Sequence, residues 1–194
     1  MIDEKEGLGD ISLLVITREE EDNIEACISS ATGVGEVVVV DSFSSDATAS
    51  IAESLGARVY RREFKSFSDQ KNWGIGRCSG EWILSLDADE RLSGPLRAEI
   101  AAELSDPSFD GYFLRRRSRF LGRWIRFCGW QRDRVLRLFR NGKGHYPETA
   151  VHERLVLDGP AGTLEGDLLH HPYRDLDDHI ERMRSYSRRG ALEL

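Results

Sequence analysis

Asp87-Ala88-Asp89 places two carboxylates two residues apart, directly after the apolar residues Trp82, Ile83, Leu84 and Leu86. Such a pair suits a hard divalent cation, Mn2+ or Mg2+, which takes oxygen ligands and can also bind diphosphate oxygens. Alone, D-x-D is a weak signal, because acidic pairs also mark turns and solvated caps. Its place strengthens it, since ligands of open α/β sheets bind at the carboxyl ends of strands. Asp41 closes a second apolar run, Val37 to Val40, and has two readings. Its carboxylate either accepts the imide N–H of a uracil or thymine ring or caps the turn DSFSSD.

These carboxylates need a scaffold, and the chain before them supplies an α/β one. Ile11 to Ile16 and Val37 to Val40 are short, nearly continuous apolar runs, the pattern of parallel strands covered on both faces. Between them Ile24, Cys27, Ile28 and Ala31 fall at i, i+3, i+4 and i+7, which predicts a helix over 20–31 with one apolar stripe. A second helix is expected to be capped by Ser44, Ser45 and Asp46, to bury Ile51 and Leu55, and to stop at Gly56. Ala57 to Tyr60 then read as a strand, 67–77 as a short helix, 82–86 as the strand carrying the acidic pair, and 95–104 as a helix. Segments 111–116 and 135–140 are expected to add antiparallel strands. A terminal amphipathic helix is expected over Asp175–Arg189, with aspartates at its start and arginines at its end as the helix dipole prefers.

The 194 residues are the length of one domain, and no apolar stretch approaches a membrane span. The opening MIDEKEGLGD resembles no secretory or transit signal, so cytoplasmic residence is expected. Cys27, Cys78 and Cys128 contain no CxxC pair, which argues against a disulfide framework or zinc site. The net charge of -7 is unevenly spread: residues 1–60 carry 13 acidic and 3 basic side chains, whereas 115–140 carry 1 acidic and 10 basic. This arginine island either meets an anionic partner or is consumed in salt bridges to the acidic half of the chain.

Three ordered segments, SLLVITREEEDNIEACISS (12–30), EVVVVDSFSSDAT (36–48) and KNWGIGRCSGEWILSLDADERLS (71–93), make the chain resemble a family 2 glycosyltransferase of the GT-A fold. Within that family RLFRNGKG (137–144) and VHERL (151–155) are similar to the lipopolysaccharide core β-1,4-glucosyltransferase group. The resemblance implies that Thr17, Glu19 and Asp41 line the nucleobase and ribose site, that Lys71 approaches the nucleotide, and that Asp87 with Asp89 forms the metal and diphosphate site. Where the family's first strand usually ends in Asn-Glu, this chain has Glu19-Glu20. An inverting transfer further needs a carboxylate base facing the acceptor hydroxyl. Asp133, the sole acid of the island, ranks first and stands where related enzymes place the base; its alternative is an ion pair with Arg132, Arg134 or Arg137. Glu153 and Glu148 follow as base candidates or as acceptor ligands. His152 is read as a metal ligand or phosphate contact, against a structural hydrogen-bonding role, while His170 and His171 carry less information. Trp124 and Trp130 stack on a sugar ring or, like Trp73 and Trp82, fill the core.

The sequence therefore predicts a single GT-A domain over 1–194, a mostly parallel sheet flanked by helices, with 11–92 holding the nucleotide and 93–194 facing the acceptor. The expected reaction moves a hexose from a UDP-sugar (or a dTDP-sugar), glucose being the first donor that the resemblance implies, to an anionic glycan or glycolipid, with peripheral contact at an inner membrane face and no nucleic-acid partner. Rival readings are a nucleotide-sugar-binding domain without transfer activity, an aspartate-dependent phosphatase, whose D-x-D normally lies on the first strand, and a nucleotidyltransferase, whose Gly-rich phosphate loop is missing from ITREEED.

Overall fold

The structure, a computed structural model, describes residues 7–125, 127, 133–148, 154–173, 176, 177, 179, 180, 183 and 184. In chain order it contains β1 (Ile11–Thr17), α1 (Ile24–Ser30), β2 (Glu36–Asp41), α2 (Thr48–Ser54), β3 (Arg58–Arg61), α3 (Phe67–Ile75), β4 (Trp82–Asp87), β5 (Glu90–Leu92), α4 (Gly94–Glu103), β6 (Gly111–Phe120), β7 (Arg123–Trp124), β8 (Arg134–Arg140), β9 (Gly144–His145), β10 (Val156–Leu157) and β11 (Ala161–His170). The main sheet runs β3-β2-β1-β4-β8-β6-β11-β5, with β7 paired to β6, while β9 and β10 form a separate ribbon. β3, β2, β1 and β4 are mutually parallel. β8 is antiparallel to both β4 and β6, as expected for 111–116 and 135–140.

The apolar runs of β1, β2 and β4 are continuous because both faces of the sheet are covered. Leu13 and Val15 pack with Ile24, Cys27 and Ile28 of α1 and with Leu96 and Ile100 of α4. Leu14, Val38, Val40 and Ile83 point the other way, toward Trp73 and Ile75 of α3 and Leu157 of β10. α3 lies so close to β1 that a Cβ on Gly74 would meet Leu14 Cδ1 at 2.5 Å. Ser66 and Ser93 cap α3 and α4, their hydroxyls accepting the N–H groups of Asp69 and Leu96.

Several expectations are corrected. α2 starts at Thr48, not within Ser44 to Asp46, and Asp46 Oδ1 accepts the Thr48 N–H at 3.0 Å. Ala49 and Ala52 face the sheet, so Ile51 is only half-buried and Leu55 is turned outward. β11 has no counterpart among the expected strands, yet it pairs parallel to β6 and antiparallel to β5. The helix expected over 175–189 falls mostly outside the described residues.

Candidate active site

Strand register brings the first site residues level. Thr17 is the partner of Asp41 across β1 and β2, and Ile16 is the partner of Asp87 across β1 and β4. Thr17, Asp41 and Asp87 therefore share the carboxyl edge of the parallel strands. Asp41 is fully buried, and its carboxylate accepts the Ser44 N–H at 3.0 Å and the Ser44 hydroxyl. It thus caps the turn in this state. Thr17 Oγ1 is buried with no hydrogen-bond partner among the described residues, a cost that a ligand donor or acceptor would remove. Glu19 is exposed, at a positive φ of 55°, and its carboxylate accepts the Ser45 N–H at 2.9 Å and the Ser45 hydroxyl at 3.1 Å. It laces the loop after β1 to the loop after β2.

Beyond Asp87 the site is a chain of alternating charges. Lys71 Nζ, nearly buried on α3, lies 2.9 Å from Asp87 Oδ1, and Arg137 of β8 donates to Asp87 Oδ2. Arg137 Nη2 also donates to Glu90 Oε1 at 2.8 Å, and Glu90 Oε2 accepts the Asp87 N–H at 3.1 Å. Glu90 is completely buried. Arg116 of β6 approaches Glu90 Oε1 at 3.5 Å and donates through Nε to Asp133 Oδ2 at 2.7 Å. Burial opposes the charged form of Asp87, but Arg137 and then Lys71 outweigh it and hold its carboxyl well below the usual range. Burial likewise opposes a charged Lys71, and Asp87 overrides it, so the ammonium is retained. The three acids and three cations of this ladder neutralise one another, so the ladder offers an incoming diphosphate no unpaired positive charge.

Asp89 stands at the ladder's edge with a different neighbour. Its Oδ2 lies 3.5 Å from His170 Nε2, while His170 Nδ1 is 2.9 Å from Ser118 Oγ. The serine contact occupies one ring nitrogen and turns the other toward the carboxylate. Among the described residues no three His, Cys, Asp or Glu side chains gather as a cation cage. Asp89 could give one carboxylate to a divalent cation whose other positions substrate phosphates and water would fill, the pattern usual for Mg2+. His152 and Glu153 lie outside the described residues, and Glu148 is exposed. His171 is held neutral, its pKa lowered to about 4 by burial and by Arg91 and Arg119, and its ring packs edge-on to Trp124 at 5.5 Å. Trp82 is a core residue stacked near Tyr112, and Trp130 lies outside the described residues.

Sequence reasoning missed Glu90 and Arg116 as parts of the site and passed over His170. Glu90 follows the D-x-D immediately, but only burial separates it from an exposed turn acid. Much of the arginine island proves to be salt-bridged, in part to the N-terminal half of the chain through Glu81, Asp87 and Glu90 and in part to acids nearer the C-terminus. Arg115 and Arg117 pair with Asp167 of β11, Arg134 with Glu165, and Arg140 with Glu81 and Asp110.

The parallel half-sheet and its acidic edge define a GT-A-type domain, and residues 12–156 match the model of Glycosyl transferase family 2, the family to which this chain belongs. The lipopolysaccharide core biosynthesis glycosyltransferase LpsC of Rhizobium meliloti is 33% identical over 186 residues, covering 91% of this chain and 68% of that protein. Among solved structures, S. aureus TarS 1-349 is similar with a TM-score of 0.64 at 18% identity, over 92% of this chain and 64% of that one. Its complex with UDP-GlcNAc gives 0.62 at 17% identity, over 84% and 59%. The mannosyltransferase PcManGT of Pyrobaculum calidifontis, in complex with GDP-Man and Mn2+, gives 0.59 at 18% identity, over 91% and 60%. The chain thus spans roughly two thirds of these relatives' length.

Proposed function

We propose that the chain transfers a hexose, glucose being the first donor to try, from a UDP-sugar to an anionic glycan of the lipopolysaccharide-core kind, with inversion at the sugar carbon. The observation that carries this reading is the ladder joining Asp87, at the nucleotide edge of the sheet, to Asp133 through Arg137, Glu90 and Arg116. It ties Asp87 and Asp133, the carboxylates that this reading gives to donor and acceptor, into one network. The name of LpsC supports the acceptor class, and the UDP-GlcNAc complex of TarS supports a UDP donor.

Asp41 and Thr17 receive the uracil and ribose, with Glu19 holding the loop around them. Lys71 faces the diphosphate beside Asp87. Asp89, with Asp87 and the imidazole of His170 or His152, would hold Mn2+ or Mg2+, which neutralises the departing diphosphate. Asp133 takes the acceptor proton. Arg116 holds its Oδ2, and among the described residues no hydrogen bond occupies Oδ1. Cytoplasmic residence with contact at the inner membrane face completes the reading, and among the described residues no helix is long and apolar enough to cross a membrane.

The test is a thermal-shift and calorimetric panel of UDP, CDP and UDP-glucose with and without Mn2+. UDP-glucose with Mn2+ at a hundred times its Kd is expected to stabilise the protein by about 2.7 kcal/mol. UDP is expected to bind about tenfold tighter than CDP, because a carboxylate accepts the uracil imide proton that cytosine lacks. Equal affinity for the two would leave Asp41 with only its turn-capping role. No shift with any nucleotide would remove the donor reading.

A further inference from the structure

Five large apolar side chains are more than half exposed among the described residues: Phe127 at 75%, Phe43 at 58%, Leu121 at 55%, Met183 at 54% and Leu176 at 51%. Four of them belong to one end of the molecule. Leu121 sits in the turn of the β6–β7 hairpin and Phe127 follows β7, while Leu176 and Met183 lie in the segment tied to that hairpin by the Phe120 ring, 5.8 Å from Tyr173 and 5.0 Å from His179. The hairpin tip is strained for what it carries. Leu121 has φ 45° beside Gly122 at φ 80°, a left-handed position where Gly or Asn costs little and leucine costs roughly 1 kcal/mol. Neither packing nor turn chemistry accounts for an exposed leucine there.

Two charges at the tip stand apart from the ion pairs around them. Arg115, Arg116, Arg117, Arg134, Arg137 and Arg140 are all ion-paired. Arg119 and Arg123, one on each strand of the hairpin and both exposed, have no ion-pair partner among the described residues. Trp124, beside them, lies under the Arg117 guanidinium at 5.2 Å. Unpaired arginines around projecting apolar side chains, with a tryptophan at the boundary, match an anionic lipid surface, where each cation adds Coulomb attraction and each apolar group leaves water.

We propose that the β6–β7 hairpin, with Leu121 and Phe127 as apolar anchors and Arg119 and Arg123 as lipid-phosphate contacts, docks the protein on an anionic bilayer. The surface lies beside His170 and Asp89, because Ser118 of β6 is the strand partner of His170, so docking brings that edge of the candidate site close to the membrane. The inference rests on the membrane contact of that reading but not on its donor, and because its test contains no sugar nucleotide, a failure here leaves the donor reading standing.

The 194-residue protein is centrifuged with vesicles of phosphatidylcholine alone and of equal parts phosphatidylcholine and phosphatidylglycerol. Pelleting is expected only with the mixed vesicles and is expected to weaken with added salt. The pair Arg119→Glu and Arg123→Glu is expected to lower partitioning at least about thirty-fold, since each surface arginine contributes about fivefold. Leu121→Asn suits the left-handed turn and is expected to raise the melting temperature while reducing vesicle binding, which separates lost docking from lost fold. Equal binding to both vesicle types, or unchanged binding of these variants, would overturn the proposal. So would pelleting without vesicles, which would assign the patch to a second copy of the chain.

Discussion

Asp133→Asn is expected to bind UDP-glucose and Mn2+ with unchanged affinity and to transfer the sugar at least ~10²-fold more slowly, the lower end of what removing a general base costs. The amide keeps the shape of the carboxylate but cannot take a proton. Its carbonyl oxygen can still accept from Arg116 Nε, the contact now made at 2.7 Å, so the ladder is weakened without being emptied. Because Asp133 joins the ladder through Arg116 alone, the fold is not expected to suffer, and the loss should appear in kcat with donor and acceptor saturating. Glu153→Gln is the control. Near-normal turnover of Asp133→Asn with an inactive Glu153→Gln would pass the base to Glu153 and leave Asp133 as a structural ion-pair residue.

Glu90→Ala is expected to be the most destabilising single change in the site, by about 3–5 kcal/mol in urea unfolding, the cost of breaking a buried pair and stranding its partner. Glu90 is fully buried, and its loss leaves Arg137, 8% exposed, with only Asp87, and leaves the Asp87 N–H without its acceptor. A domain of this kind has about 5–15 kcal/mol of stability in total, so the loss is a large fraction of it and should lower the urea midpoint markedly. Arg58→Ala provides the comparison. Its salt bridge to Glu36 is half exposed, at 49% for the arginine side chain, and should be worth about 1 kcal/mol or less. Should both substitutions cost the same, the ladder would have no special structural weight.

The parallel half of the fold was legible because covering both faces of a strand leaves a plain mark. Leu13, Leu14 and Val15 are all buried, and no amphipathic alternation confuses the run. β11 was not legible for the opposite reason. Its sequence AGTLEGDLLH carries Gly162, Gly166 and Asp167, and its register shifts between Leu164 and Asp167, so neither period-two alternation nor a continuous run survives. Missing that strand hid His170, which is its last residue and which only sheet pairing brings to Asp89. The same applies to the arginine island. Its composition is visible in the sequence, but the acids that neutralise Arg115, Arg117 and Arg134 lie on β11, some fifty residues or fewer away in the chain and adjacent only in the sheet. Asp87 and Asp41 were found because they terminate visible strands.

The central claim is that the carboxyl edge of β4 holds a nucleotide diphosphate through a divalent cation, and calorimetry of UDP in the presence and absence of Mn2+ tests it most directly. The protein is expected to bind UDP with Mn2+ and to lose that binding without the metal, while Asp89→Ala and Asp87→Asn, whose amide keeps the side-chain shape and an acceptor for Lys71 or Arg137, are each expected to lose the Mn2+-dependent binding and keep the wild-type circular dichroism. Undiminished UDP affinity in Mn2+ for both variants would contradict the assignment.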